Sequence, residues 1–143
     1  MNISRALHYT AAAALAALLA ACAATGPDVA GNWKEIGTIN SGNIKAAIDT
    51  SSIKRNGQLA TFRDKKTVLK PSEERYVNTP AYKTAVGEWE IHCRNKTYRL
   101  TALQLLDERG QVLMNQKYTA AGLRPMSVMG GSITEKQFET VCK

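Results

Sequence analysis

Few side chains in this sequence could do chemistry. There are three cysteines, Cys22, Cys93 and Cys142, and two histidines, His8 and His92. A structural metal wants four ligands. His92 is the one histidine beyond the N-terminal apolar run, so no metal site and no cofactor are expected. No Ser or Asp is tied to His92 by a recognisable motif, which makes it a poor general base. Glu88 and Glu90 stand two apart, as paired carboxylates do, but on a sheet exterior such pairs usually balance lysines. Gly130-Gly131 lacks the Gly, Lys and Ser/Thr that complete a phosphate loop. Asn95-Lys96-Thr97 matches the glycosylation sequon. Catalysis is therefore not expected, and thiols and cations remain.

The cations fall into clusters. Lys54 and Arg55 precede the turn dipeptide Asn56-Gly57, and Arg63, Lys65 and Lys66 follow on the next strand. Arg94, Lys96 and Arg99 surround a second hairpin tip. With 19 Lys and Arg against 12 Asp and Glu, the formal charge is +7. That balance favours anionic partners, whether acidic glycans, lipid head groups, nucleic acid or acidic protein surfaces, without selecting among them. The same charges also serve solubility and edge protection. Aromatics near the clusters are few, and Phe62 is expected to face the core. A nucleic-acid stacking platform is not expected.

Cys22 has a distinctive setting. Residues 10–21 are almost all Ala and Leu, and they end in Leu19-Ala20-Ala21-Cys22. Spanning a bilayer needs about 20 apolar residues. The shorter run fits the apolar region of a signal peptide, with Arg5 as its positive start. The order Leu, small, small, Cys resembles the lipobox of bacterial lipoproteins. On that reading residues 1–21 are a signal peptide that is removed, and Cys22 carries acyl chains into the outer membrane. An ordinary secretory signal and a buried Ala-rich helix are the alternatives. Cleavage before Cys22 leaves 18 basic and 12 acidic residues, a formal +6. Residues 22–31 form a lipidated tether, and 32–143 form one domain with one core.

Setting Cys22 aside leaves Cys93 and Cys142. In an oxidising envelope two remaining cysteines suggest one disulfide, worth about 4 kcal/mol on the chain-entropy model. Two free buried thiols are the alternative. The elements around them agree with the bridge. Strands are expected over 33–39, 44–49, 58–69, 86–94 and 112–119, with a polar turn at 50–53 and a long excursion over 70–85. Over 86–94, Trp89, Ile91 and Cys93 share one face, while Glu88, Glu90, His92 and Arg94 share the other. A two-residue turn at Asn95-Lys96 would pair Cys93 with Tyr98, Ile91 with Leu100 and Trp89 with Ala102. That register gathers the apolar residues on one face, and a slip of one would insert Arg99. Ser132 and Glu135 have capping-box spacing, and Phe138, Val141 and Cys142 form a helical stripe over 133–142. The expected fold is α+β: an antiparallel β-sheet with a C-terminal α-helix packed on one face and tied to it by a disulfide.

Several segments together resemble the surface-adhesin protein E family. They are Trp33, Ile48-Asp49-Thr50-Ser51-Ser52-Ile53 before Lys54-Arg55-Asn56-Gly57, the strand ending in Cys93, and Gly131-Ser132-Ile133 leading to Val141-Cys142. The resemblance spans about residues 33–142. It differs at Phe62, where the family often has Trp, and at His92, where it often has an acidic residue. The resemblance implies an antiparallel sheet with a disulfide-held C-terminal helix. It also implies a non-enzymatic, lipid-anchored outer-membrane adhesin that binds host matrix proteins or acidic glycans. Lys54, Arg55, Arg63, Lys65, Lys66, Arg94, Lys96 and Arg99 are the candidate contacts, taken from their charge and exposure. A homodimer through a sheet edge is a further expectation. The competing readings are a periplasm-facing structural or assembly lipoprotein and, ranked last, a lysozyme inhibitor, whose positive charge would oppose a basic lysozyme.

Overall fold

The computed structural model describes residues 29–120 and 122–143, so the segment read as a signal peptide and Cys22 lie outside the described residues. Six strands follow one another as an antiparallel meander. They are β1 (Trp33–Ile39), β2 (Ile44–Asn56), β3 (Leu59–Val68), β4 (Thr84–His92), β5 (Thr97–Leu106) and β6 (Val112–Lys117). A two-residue strand, β7 (Met126–Ser127), pairs with the start of β5, and the helix α1 (Ile133–Val141) follows. Among the described residues, strands, helix and disulfide all lie within 33–142.

Turn residues explain the local connections. Asn40 and Ser41 adopt left-handed φ of 52° and 55° between β1 and β2, and Gly57 adopts 60° between β2 and β3. Asn and Gly tolerate that region best. Alternation along the strands then separates two faces. Ile44, Ala46 and Ile48 of β2, Ala60, Phe62 and Val68 of β3, and Ile91 of β4 are all buried. They lie on the face that α1 covers. Val141 joins Ile48, Ala60, Phe62 and Ile91 in the core, with Phe138, Cys142, Cys93 and Tyr98 packed around them. The helix rests mainly on β1, β2 and β3.

Both ends of α1 are satisfied. The Ser132 hydroxyl accepts the Glu135 N–H at 3.1 Å. The N–H of Ser132 donates to the Met129 carbonyl, so only half of the expected capping box forms. At the other end Arg55 donates to the carbonyls of Val141 and Lys143, placing a cation where the helix dipole is negative. Cys93 and Cys142 are bonded, with Cα atoms 5.6 Å apart. The sheet, the terminal helix and the bridge between them are thus as expected.

The structure corrects the sequence reading in four places. First, the turn expected at 50–53 is a bulge inside β2, where pairing with β3 shifts between Asp49 and Lys54. The short polar side chains replace ladder bonds there: the Ser52 hydroxyl accepts the Arg63 N–H and donates to the Asp49 carbonyl. Second, the β4–β5 turn has four residues, Cys93 to Lys96, and Lys96 takes a left-handed φ of 52°. Its N–H donates to the His92 carbonyl at 2.9 Å. Tyr98 therefore pairs with Ile91 and Leu100 with Trp89, two residues from the expected register. A shift of two preserves every face. Third, a bulge between Glu88 and Trp89 places Ala102 beside Glu88, so Ala102 leaves the apolar face and Leu103, beside Gly87, takes its place. Fourth, the excursion ends before Thr84, where β4 begins, and it contains a short 3-10 helix at Pro71–Glu73. Its course is pinned by Glu74, whose carboxylate accepts the side-chain amides of Asn40 and Asn43 at 2.9 and 2.8 Å.

The bridge fastens the end of a nine-residue helix to the sheet. Replacing both Cys93 and Cys142 with Ala is expected to lower stability by roughly 2–4 kcal/mol. Urea unfolding with and without reductant checks this, and the double variant should lose all sensitivity to reductant.

Candidate binding face

The face opposite the helix carries most of the exposed polar side chains of the central strands. Thr61, Arg63 and Lys65 on β3 stand beside Glu90, Glu88 and Val86 on β4. Arg99 on β5 stands beside Glu90, and Lys54, just past the bulge in β2, stands beside Thr61. A shallow groove of about 600 Å³ runs between them, lined by Asp49, Ser51, Lys54, Arg63, Glu88 and Glu90 among others.

Asp49 organises one wall of this groove. It is 3 % exposed. One carboxylate oxygen accepts the N–H groups of Asn32 and Ser51 and the Ser51 hydroxyl. The other accepts Arg63 Nη2 at 2.6 Å. The same Arg63 nitrogen reaches the Ala30 carbonyl, and Trp33 Nε1 donates to the Val29 carbonyl at 2.7 Å. Arg63 and Lys65 both stand over the Trp33 ring, at 4.9 and 4.6 Å from its centroid. The result is a latch that holds residues 29–33 against the open face. Burial pushes the Asp49 carboxyl upward, but the hydrogen bonds from Ser51, Arg63 and the backbone outweigh it. They hold it well below the usual carboxylate range.

The eight candidate cations do not form one patch. Lys54, Arg63, Lys65 and Arg99 lie on the open face, where Arg63 pairs with Asp49 and Arg99 with Glu90. Arg55 is on the helix side and caps α1. Lys66 is also on the helix side, bonded to Asp64 at 2.7 Å and 5.3 Å from the Trp89 ring centroid. Arg94 and Lys96 are exposed in the β4–β5 turn, with Lys96 Nζ 5.8 Å from the Phe138 ring centroid. His92 is half-buried, and its Nδ1 is 3.4 Å from the Asn95 N–H. Among the described residues, no three His, Cys, Asp or Glu side chains gather as metal ligands.

One cluster was missed by the sequence reading. Asp64 is 2 % exposed on the helix side, and its carboxylate accepts Trp89 Nε1, Lys66 Nζ and Gln137 Nε2. The signal was present: Asp64 and Lys66 share the parity of Ala60, Phe62 and Val68 along β3. A charged residue inside an apolar alternation asks for a partner.

With this architecture in place, comparison with known proteins is decisive for the family. The family model of surface-adhesin protein E matches residues 33–143. The chain belongs to the surface-adhesin protein E family. Crystal structures of Haemophilus influenzae protein E share its fold. One is 17 % identical, covering 82 % of this chain and 89 % of that one, with a TM-score of 0.51. A second crystal form is 15 % identical, covering 82 % and 93 %, with a TM-score of 0.54. The selenomethionine form gives 15 %, 82 % and 92 %, with a TM-score of 0.53. No curated protein matches this chain. At these identities the likeness extends to the fold, while the family as a whole is one of cell-surface adhesins.

The Asp49 latch carries a pH signature. Its carboxyl titrates lower when folded than when unfolded, so its contribution to stability is complete above about pH 4 and is lost as pH falls towards the depressed value. Asp49→Asn is expected to be less stable than the parent at neutral pH. Its urea midpoint should fall less steeply between about pH 4 and about pH 2, as pH-dependent unfolding will show.

Proposed function

We propose that the chain is a non-enzymatic outer-membrane lipoprotein that binds host extracellular-matrix proteins or acidic glycans. Cleavage before Cys22 and acylation of its thiol supply the anchor. Membership of the surface-adhesin protein E family over residues 33–143 is the observation that carries this reading. The lipobox-like Leu19-Ala20-Ala21-Cys22 supports the anchor, and the positive charge supports an anionic partner. On this reading the exposed cations that best fit the contact are Lys54 on the open face and Arg94 and Lys96 at the β4–β5 turn, with the half-buried Lys65 further along the open face. Arg55 caps the helix instead, and Lys66 lies on the helix side, away from this contact. Pairing of two chains along an exposed sheet edge belongs to the same proposal, and sedimentation reads it.

The tether sets how far the domain reaches. The latch holds Val29 and Ala30 on the sheet, so only the stretch from Cys22 to Val29 separates lipid from domain. Fully extended, it spans at most about 25 Å. A domain held this close to its leaflet also suits the periplasm-facing alternative. Protease treatment of intact cells separates the two readings: cleavage supports surface exposure, and protection until the outer membrane is permeabilised supports the alternative.

Purified residues 23–143 are expected to bind immobilised laminin, vitronectin or heparin saturably at physiological salt. Alanine at Lys54, Lys65, Arg94 and Lys96 together should weaken binding and flatten its salt dependence. Absence of saturable binding to all three would remove the adhesin reading in this form.

A further inference from the structure

The helix leaves part of its own face of the sheet uncovered. Beyond the strands it rests on, Gly87 and Trp89 of β4 and Leu100, Leu103 and Leu105 of β5 line a cleft of about 240 Å³. Its far wall comes from the excursion between β3 and β4, through Thr79 and Tyr82. The cleft depends on Gly87. A Cβ there would lie 2.6 Å from Trp89 Nε1 and 2.8 Å from Asp64 Oδ1. With no side chain at this position, the indole folds over Gly87 and donates to Asp64 at 2.8 Å. Trp89 is thereby fixed as a rigid apolar wall. Tyr82 is set in turn by its edge-to-face contact with Tyr76, whose hydroxyl donates to the Tyr82 carbonyl.

Size and chemistry select the occupant. Small-molecule and cofactor sites usually enclose about 300–1,000 Å³. This cleft holds the equivalent of about eight waters, which suits one aromatic ring. Its walls include two aromatic side chains, which favour an aromatic guest in an offset or edge-on arrangement. Lys66 also lines the cleft. Its ammonium has three N–H donors and gives one to Asp64, and its side chain is 26 % exposed, so a partner can reach it. A carboxylate beside the ring would meet them, and the positive charge of the whole chain steers such a partner.

We propose that this cleft seats a single aromatic side chain of a partner protein, flanked by an acidic residue that meets Lys66. The inference rests on the adhesin reading and names one anchor of the contact, on the helix side rather than the open face. Anchors of this kind, a ring in a desolvated pocket with a neutral surround, carry most of the energy of many interfaces.

The test uses isotope-labelled residues 23–143 and the peptide acetyl-Glu-Phe-Glu-amide, followed by amide and indole chemical shifts. Saturable shifts are expected at Gly87, Leu103 and the Trp89 indole, with the Gln-Phe-Gln peptide binding roughly two- to fivefold more weakly. Leu103→Trp, which fills the cleft, should abolish them. If that variant fails to fold, the map on the parent protein decides alone. No saturable shift, or shifts centred on Arg63 and Glu90 of the open face, overturns the proposal. If matrix-protein binding persists while the peptide leaves the cleft untouched, this inference fails and the adhesin reading stands. If the peptide fills the cleft while no matrix protein binds, the cleft stands and the adhesin reading falls.

Discussion

A carboxylate buried at the centre of an apolar sheet face constrains the rest of this molecule. Asp64 stands in the same row as Phe62 and beside Ile48 on the neighbouring strand, almost wholly out of water. A carboxylate there is costly unless both of its oxygens are hydrogen-bonded. Three donors from three elements meet the need: Lys66 from its own strand, Trp89 from β4 and Gln137 from α1. Each donor then fixes its element. The helix must present Gln137 inward, which sets its rotation. Trp89 must lie across its strand, which requires glycine at position 87. Hydrophobic burial is not directional, so the apolar residues alone would let the helix slide and turn. The polar contact and the Cys93–Cys142 bond remove those freedoms at two points.

Asp49 plays the matching part on the other face. Ile48 pairs with Asp64 and Asp49 with Arg63, so adjacent rungs of one ladder send a carboxylate to each side of the sheet. Asp49 gathers the bulge of β2, Arg63 and the chain entering β1. Part of the positive charge is consequently engaged within the fold. Arg55, Arg63, Lys66 and Arg99 each meet a carboxylate or a helix end. A formal charge counted from the sequence therefore overstates the surface left for an anionic partner.

The same distinction explains what the sequence made legible. Alternation in 86–94 and 97–102 placed Trp89, Ile91, Tyr98 and Leu100 on the right face, and helical spacing placed Val141 and Cys142 on the inner side of α1. Those signals come from which residues avoid water. Register was less legible, because a shift of two residues leaves every face unchanged. Only the turn distinguishes the two registers, and Lys96, which lacks the usual preference for left-handed φ, gave no sign of a four-residue loop. The bulge at 50–53 was hidden for a related reason. Short polar residues bond their neighbours in turns and in bulges alike. Two-residue β7 has no length over which a period can show. Among the candidate site residues, charge and position were readable but partners were not, since Asp49 and Arg63, or Arg99 and Glu90, meet through strand pairing.

The cleft follows from a mismatch of sizes. A helix of nine residues is about 13.5 Å long and about 10 Å across. Six strands at about 4.8 Å spacing span about 24 Å between the outermost axes. In any orientation such a helix spans only about half of the sheet's width. The disulfide fixes which half, because it joins the helix end to the β4–β5 turn while the helix body lies over β1 to β3. The uncovered strip must then be closed by something else, and the excursion between β3 and β4 closes it only in part. A longer helix would have sealed the sheet and left no recess. The arrangement thus divides the face into a fixed half, secured by Asp64 and the disulfide, and a recessed half whose wall is a loop.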